Sequence, residues 1–488
     1  MVSKILLVIP NSRWYKTNVE WHLHPYQLGL IAANLDRNIY NIEIYDANID
    51  NTSREDFSYK IKEYSPCLVG FTVLSNEFGV TAHIGCEIVK KVSKDIVTIV
   101  GGVYATTRPR DCIMDHNVNY VAIGEGENLF RDLLEYLNGR AELPSKGLAF
   151  RDKNKAIIGD NITVQCRADL IQDLDALPYP AYDLIDMGRY SNQSFKAVVD
   201  RPRALPYAKL NTSRGCPIGC TFCQVETIAG RNTRFLSPER VLDEMEFLID
   251  NYNIKAFEFE DDNFLGNRTR VIKLFNGMID RGISNKIVWN AANVSVFFLS
   301  EKLLDLMWAS GCKYISFAIE SGGPRVLKEI INKPVKHERA KELVDYAKKL
   351  GMDTTTLWII GFPSETWDEI RETVRVAEWF DSDYTKINVA TPYPGTILFD
   401  KAVEGGYLTK DFDFDNLVWG SATYSTEEFA ADELDILRTY EWDRINFTSP
   451  LKRDKISKMM GISPAELDTI RLNTRLNCFN NPYFEKER

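Results

Sequence analysis

Arg214-Gly215-Cys216-Pro217-Ile218-Gly219-Cys220-Thr221-Phe222-Cys223 is the stretch around which the rest of the chain orders itself. It follows a short β-rich run, Ala208–Thr212, and its CxxxCxxC spacing gathers three thiolates into one small loop. Thiolates ligate iron–sulfur clusters, and a cubane has four irons, so three ligands leave one iron open for a substrate or cosubstrate. Gly215 and Gly219 let the backbone wrap closely around such a group. A single zinc ion would want a fourth Cys or His at short spacing. None of the five histidines lies near, and Cys312 stands alone in a later repeat. The run reads as a [4Fe-4S] site on Cys216, Cys220 and Cys223.

Downstream, β-rich and helical segments alternate. The strand candidates after Ala208–Thr212 are Ala256–Glu260, Ile287–Asn290, Tyr314–Ile319, Thr354–Ile360 and Lys386–Ala390. Helical patterns lie between them, and Ser237-Pro238 is a capped helix start. Six repeats are too few for a closed eight-stranded barrel and suit a partial (βα)6 barrel over residues 206–400. Residues 401–488 are mostly helical in pattern, with helices expected at Asp432–Asn446 and after Ser463.

Upstream, residues 1–150 show a second alternation, with strands expected at Lys4–Ile9, Ile42–Tyr45, Leu68–Val73, Val97–Val100 and Tyr120–Ile123. This is the pattern of a doubly wound, Rossmann-like parallel sheet, an α/β fold whose ligands sit at the carboxyl ends of the strands. Turn signals stand at those ends: Pro10-Asn11, Gly101-Gly102 and Gly124-Glu125-Gly126. Residues 151–205, with Pro178 and Pro180, read as a connector.

A length of 488 residues suggests two or three domains. The 44% hydrophobic and 26% charged content is that of a globular protein. A net charge of -10 offers no general cationic field for nucleic acid or an anionic membrane. No apolar run reaches the roughly 20 residues of a membrane span, and Met1–Pro10 reads as a buried strand rather than a signal segment. Nine mostly scattered cysteines do not form a disulfide framework and fit a reducing cytoplasm.

With its aromatic Phe222, the cysteine run resembles the CxxxCxΦC signature of radical S-adenosylmethionine (SAM) enzymes. The resemblance implies that SAM chelates the open iron and is cleaved by one electron to a 5′-deoxyadenosyl radical. It also implies SAM contacts at Glu260, Asp261 and Asp262 near the amino group, at Glu320 and Ser321 near the ribose, at Gly361 along the adenine, and at Pro394 after the sixth strand. Residues 1–150 resemble the cobalamin-binding domain that precedes this barrel in one branch of the family. The resembling pieces are His24–Leu30, Val69–Thr72, Gly101–Thr106 and Ile123–Glu127. They imply cobalamin contacts at Thr72, Gly101, Gly102, Val103, Tyr104, Gly124, Glu125 and Gly126. The D-x-H-x-x-G run that brings a histidine to cobalt in other cobalamin proteins is absent, and His22 and His24 have the wrong spacing.

The expected activity is methyl transfer to an unactivated carbon, or phosphorus, of a small molecule. One SAM would supply a cobalt-bound methyl and a second the radical, with a flavodoxin- or ferredoxin-like protein as reductant. The alternatives are a cobalamin-linked radical cyclisation, oxidation or rearrangement, and a non-catalytic cobalamin sensor or carrier that would leave the three cysteines idle. RNA methylthiolation fits poorly, because the chain is acidic and the tail after 400 is not a basic, β-rich module.

Overall fold

The computed structural model describes residues 3–15, 24–152, 161–193, 196–409, 412–414, 417 and 420–479. They form two compact units. The first comprises Met1–Tyr190, Thr227–Gly230 and Asp413–Leu417, and the second comprises Ser191–Glu226, Arg231–Phe412 and Val418–Arg488.

The first unit is built on strands β1 (Ser3–Ile9), β2 (Tyr40–Asp46), β3 (Leu68–Val73), β4 (Val97–Gly102), β5 (Tyr120–Ala122), β6 (Leu148–Arg151) and β7 (Ile162–Val164). They lie in the order β2-β1-β3-β4-β5-β6-β7. The first five pair in parallel. The near-continuous apolar runs of the interior strands β1 and β3 follow from burial on both faces. Leu6 and Val8 pack with Phe57, Val69 and Cys86, and Ile5 and Leu7 pack on the opposite face with Leu28, Leu68 and Leu133. Helices Arg54–Tyr64 and Gly79–Val92 cover one layer, and Tyr26–Ala33 and Gly126–Leu137 cover the other. The sheet is not wholly parallel. β6 and β7 extend it in antiparallel pairing, with Tyr120 opposite Phe150 and Ala149 opposite Val164. β7 falls in the stretch read as connector, where three residues carry too little periodicity to announce a strand.

The second unit contains β8 (Tyr207–Leu210), a two-residue ribbon of β9 (Ser213–Arg214) with β10 (Arg234–Phe235), then β11 (Ala256–Phe259), β12 (Val288–Val294), β13 (Cys312–Glu320), β14 (Asp353–Ile360) and β15 (Tyr384–Val389). Apart from the ribbon, six parallel strands follow chain order from β8 to β15. Five helices cover this sheet, starting at Pro238, Arg268, Glu301, His337 and Trp367. Ser237, Asn267, Ser300 and Thr366 cap four of them through their side chains. The layer between sheet and helices is aromatic: Trp289 stacks on Phe275 at 5.2 Å and meets Phe259 edge-on at 5.4 Å. Such pairs add about 0.5–1.5 kcal/mol each beyond area burial.

Three helices follow: Ala431–Phe447, Pro450–Met460 and Pro464–Asn477. The first docks on β15 through Trp442, whose indole donates to the Tyr384 hydroxyl at 2.7 Å, and through Asn446, which both accepts from and donates to the Thr385 backbone. The middle helix was not anticipated from sequence. Among the described residues no helix is long and apolar enough to cross a membrane.

Candidate active site in the barrel and the crevice of the first sheet

The cysteine loop leaves β9 and returns at β10, so the antiparallel pairing of Arg214 with Arg234 closes its base. Segments at the carboxyl ends of three barrel strands then fasten it. After β11, Asp262 accepts the Gly215 N–H at 2.7 Å. After β13, the Ile331 carbonyl accepts the Thr221 N–H at 3.1 Å, and Asn332 donates to the Gly219 carbonyl at 3.2 Å. After β15, the Pro394 carbonyl accepts the Gln224 amide at 2.8 Å, and the Leu398 N–H reaches the Thr221 carbonyl. Phe222 lies 6.1 Å from the ring of Phe362, which follows β14. Ligand-bearing loops at this end of the strands are the rule in barrel folds.

Cys216, Cys220 and Cys223 are all partly buried. Burial raises all three thiols, Cys220 to about 12 against the pull of Lys333, and Cys223 to about 11. Cys220 also feels the charge of Cys216 and Cys223, and Cys223 that of Cys216, so the three stand together. Among the described residues no three such side chains close on a single ion. A cubane presents its irons at separated corners and needs no such convergence.

The acids expected around SAM divide by environment. Glu260 pairs with Lys209, which also lies 3.7 Å from Glu258. The buried Asp261 carboxylate accepts the Thr212 N–H and hydroxyl at 3.0 and 2.8 Å and faces Arg270, so it supports the strand ends. Asp262 holds the loop itself. Glu320 follows a register shift in β13, has a left-handed φ of 75°, and makes a buried 2.7 Å ion pair with Lys333. A bulge re-aims the side chain that follows it. The Ser321 hydroxyl is engaged with Thr373 and the Gly323 N–H inside the turn. At Gly361 the N–H is held by Glu365 and the carbonyl by Tyr424, so only the peptide's face is left for an adenine. Pro394 holds Gln224.

Sequence reasoning missed Lys333 and the Lys209–Glu258 pair. Lys209 and Glu258 are register partners on adjacent strands, visible only once the register is known.

Inside the barrel lies a cavity of about 550 Å³, walled by Phe222 of the cysteine loop, by alternate residues of β13 to β15, and by Asp200, Asn293 and Met460. Its β-strand lining includes Tyr314, Ser316, Thr355, Leu357, Tyr384, Lys386 and Asn388.

In the first unit a crevice of about 60 Å³ opens at the carboxyl ends of β1, β2 and β3, where the strand order reverses direction. That switch point is where open α/β sheets bind ligands. Thr72 lines it, and so do Ser12, Asp46, Asn48 and Ser75, which sequence reasoning passed over. Asp46 accepts the Tyr190 hydroxyl at 2.7 Å and the N–H groups of Asn48 and Ile49, and burial raises its pKa. Gly101 and Gly102 end β4, and Val103 starts the short helix after it. The Tyr104 ring is buried against Gly79, and its hydroxyl is bonded to His83 at 2.8 Å. Glu125 accepts the Ile171 N–H at 2.7 Å. Gly124 donates to Thr106, and Gly126 opens the following helix. His24 packs on Tyr190 at 5.5 Å, while His22 lies outside the described residues.

Residues 210–377 match the radical SAM superfamily and residues 13–134 the B12 binding domain. The chain is 32% identical to an uncharacterized methyltransferase of Pyrococcus horikoshii over 83% of its own length and 84% of the relative's. The chain belongs to the cobalamin-dependent radical SAM enzymes. A second relative of this enzyme, the cytidylyl-2-hydroxyethylphosphonate methyltransferase of Streptomyces wedmorensis, is 29% identical over 83% of each chain. The cobalamin-dependent SAM radical enzyme OxsB, solved with aqua-cobalamin bound, shares the fold with a TM-score of 0.70 at 16% identity, covering 98% of this chain and 72% of its own.

The family's three cofactors find matching features in this radical SAM enzyme. Three grouped thiols in a loop pinned at both ends suit a cluster with one free corner. A cavity walled by the loop's own Phe222 suits SAM. A polar crevice at the switch point of the first sheet suits part of a corrin or its tail.

Proposed function

We propose that this radical SAM enzyme is a methyltransferase acting on an unactivated carbon, or phosphorus, of a small molecule. Phe222 carries the reading: it stands between Thr221 and Cys223 in the cysteine loop and also lines the barrel cavity, so a radical made at the loop opens directly onto a substrate chamber. The relation to the two methyltransferases supports the outcome.

Cys216, Cys220 and Cys223 hold the cluster, and the Asp262, Ile331 and Pro394 contacts keep their loop in place. Glu320, re-aimed by the bulge and charge-balanced by Lys333, faces SAM, with the Gly361 peptide along the adenine. Thr72, Ser12 and Asn48 line the cobalamin site, with Gly101 and Gly102 at its edge. When bound, these groups supply a carbon-centred radical and a transferable methyl; the protein orients them and excludes water. A flavodoxin- or ferredoxin-like carrier delivers the electron, in a reducing cytoplasm that keeps the thiols free.

The test is anaerobic reconstitution with iron, sulfide and hydroxocobalamin. The expected result is about four irons per chain, as a cubane holds, a stoichiometric corrin, and both 5′-deoxyadenosine and S-adenosylhomocysteine from SAM under reduction. Iron without corrin, or 5′-deoxyadenosine without S-adenosylhomocysteine, would refute methyl transfer.

A further inference from the structure

Tyr384, Lys386 and Asn388 are alternate residues of β15 and all line the barrel cavity. Alternate residues of a strand share one face, roughly 7 Å apart. The Tyr384 oxygen already accepts the Trp442 indole N–H at 2.7 Å, so its own hydrogen is available to donate. A lysine ammonium carries three donors and an asparagine amide two. One wall of the cavity is therefore a column of hydrogen-bond donors with a positive charge at its centre.

The surroundings of that charge are poor in solvent. In the β14–β15 register Lys386 is paired with Leu357 and Asn388 with Ile359. Burial lowers the Lys386 pKa, and the charge of Asp200 opposes the effect. Asp200 is shared, because it also acts on Lys209, Glu258, Tyr314 and Tyr384. A second anion beside a partly desolvated ammonium gains a charge-assisted hydrogen bond in a medium of low dielectric. Lys386 also stands three residues before the end of β15. A group bound there lies deep, and the rest of the molecule points toward Phe222 and the cysteine loop. At about 550 Å³ the cavity is the size of a small-molecule site.

We propose that Lys386, flanked by Tyr384 and Asn388, is the specificity-determining residue of the barrel cavity, and that the substrate carries an anionic group, a carboxylate or a phosphoryl or phosphonyl group, which docks on it. The inference rests on the reading of the barrel as the site of small-molecule methylation. It names what that molecule must carry.

The experiment is isothermal titration of holoenzyme loaded with cluster, hydroxocobalamin and SAM, with inorganic phosphate in one arm and acetate in the other. The wild type is expected to bind at least one of them at a single site in the millimolar range, and the tighter arm names the class. Lys386→Met should weaken that binding at least about tenfold and Lys386→Arg by less than about threefold. Lys386→Gln serves in its place should the methionine variant fail to assemble. Equal binding by wild type and the neutral variant, or no binding of either anion to wild type, overturns the proposal. Corrin content and S-adenosylhomocysteine formation in the wild type report separately on the methyltransferase reading.

Discussion

Asp262 accepts the backbone N–H of Gly215 at 2.7 Å, so the turn after β11 holds the first bend of the cysteine loop. Gly215 is buried, and a buried amide left without an acceptor costs about 1–3 kcal/mol. Asp262→Ala should therefore loosen the loop while leaving every thiol in place. The expected outcome is faster loss of iron to a chelator than in wild type. Asp262→Asn, which keeps an acceptor oxygen, should fall between the two. Equal iron retention in all three would show that the loop does not depend on this bond.

Gly102 ends β4 with a φ of +91°, and a Cβ there would lie 2.4 Å from the Val73 carbonyl oxygen of the neighbouring strand. With ψ at −165° this backbone conformation is essentially confined to glycine and costs an L-residue about 1–3 kcal/mol, and a ladder carbonyl cannot swing aside. Gly102→Ala should lower the unfolding temperature and the corrin content together. At Gly101 the nearest atom to an added Cβ is the Ala122 methyl at 3.7 Å, an ordinary contact. Gly101→Ala is expected to melt close to wild type. Similar melting of the two alanine variants would contradict the steric account.

Both sheets are legible in the sequence, because buried parallel strands carry apolar runs spaced by helices, as Leu68–Phe71 and Leu357–Ile360 do. The cysteine loop is legible because its ligands are local in the chain. What escapes is whatever depends on register or on distant partners. The Lys209–Glu258 pair lies across two strands, and Lys333 meets Glu320 only because the chain folds back after β13. Asp261, Ser321, Tyr104 and Glu125 stand in motifs that suggest a ligand, and each also has an internal hydrogen bond, to Thr212, Thr373, His83 and Ile171, that the motif does not announce. A short polar motif gives no sign of which of its side chains turns inward.

Glu365 is buried beneath the turn after β14, where it accepts the N–H groups of Gly361 and Phe362 at 2.7 and 2.9 Å. Burial raises it from 4.5 to about 8, against those two bonds and Arg325. A carboxyl whose folded pKa is raised holds its proton more tightly when folded. Its contribution to stability is full below pH 4.5 and is lost as the pH rises through 8. Glu365→Gln keeps an acceptor for both N–H groups and cannot ionise. Relative to this variant, wild type should lose up to about 1.4 kcal/mol per pH unit inside that window. Thermal melts of both proteins from pH 5 to 9 read the difference, and a constant gap would sink the assignment.

The crevice at the switch point of the first sheet is lined by Ile9, Pro10, Ser12, Asp46, Asn48, Thr72, Val73, Leu74, Ser75, Phe78 and Thr81. Among these described residues there is no imidazole, amine or thiol. The nitrogen that it presents is the Asn48 amide, a poor ligand whose oxygen accepts the Ser12 N–H and hydroxyl at 3.1 and 2.8 Å. His24 is turned onto Tyr190. Transition metals take neutral imidazole or thiolate far more readily than an amide. Cobalt in the cobalamin of this enzyme should therefore have no nitrogen ligand from the protein. Electron paramagnetic resonance of the cobalt(II) form is expected to lack the splitting that a coordinated protein nitrogen imposes, and uniform ¹⁵N labelling of the protein should leave the spectrum unchanged. A spectrum altered by the label would place a protein nitrogen on cobalt, and His22→Ala would then show whether that histidine supplies it.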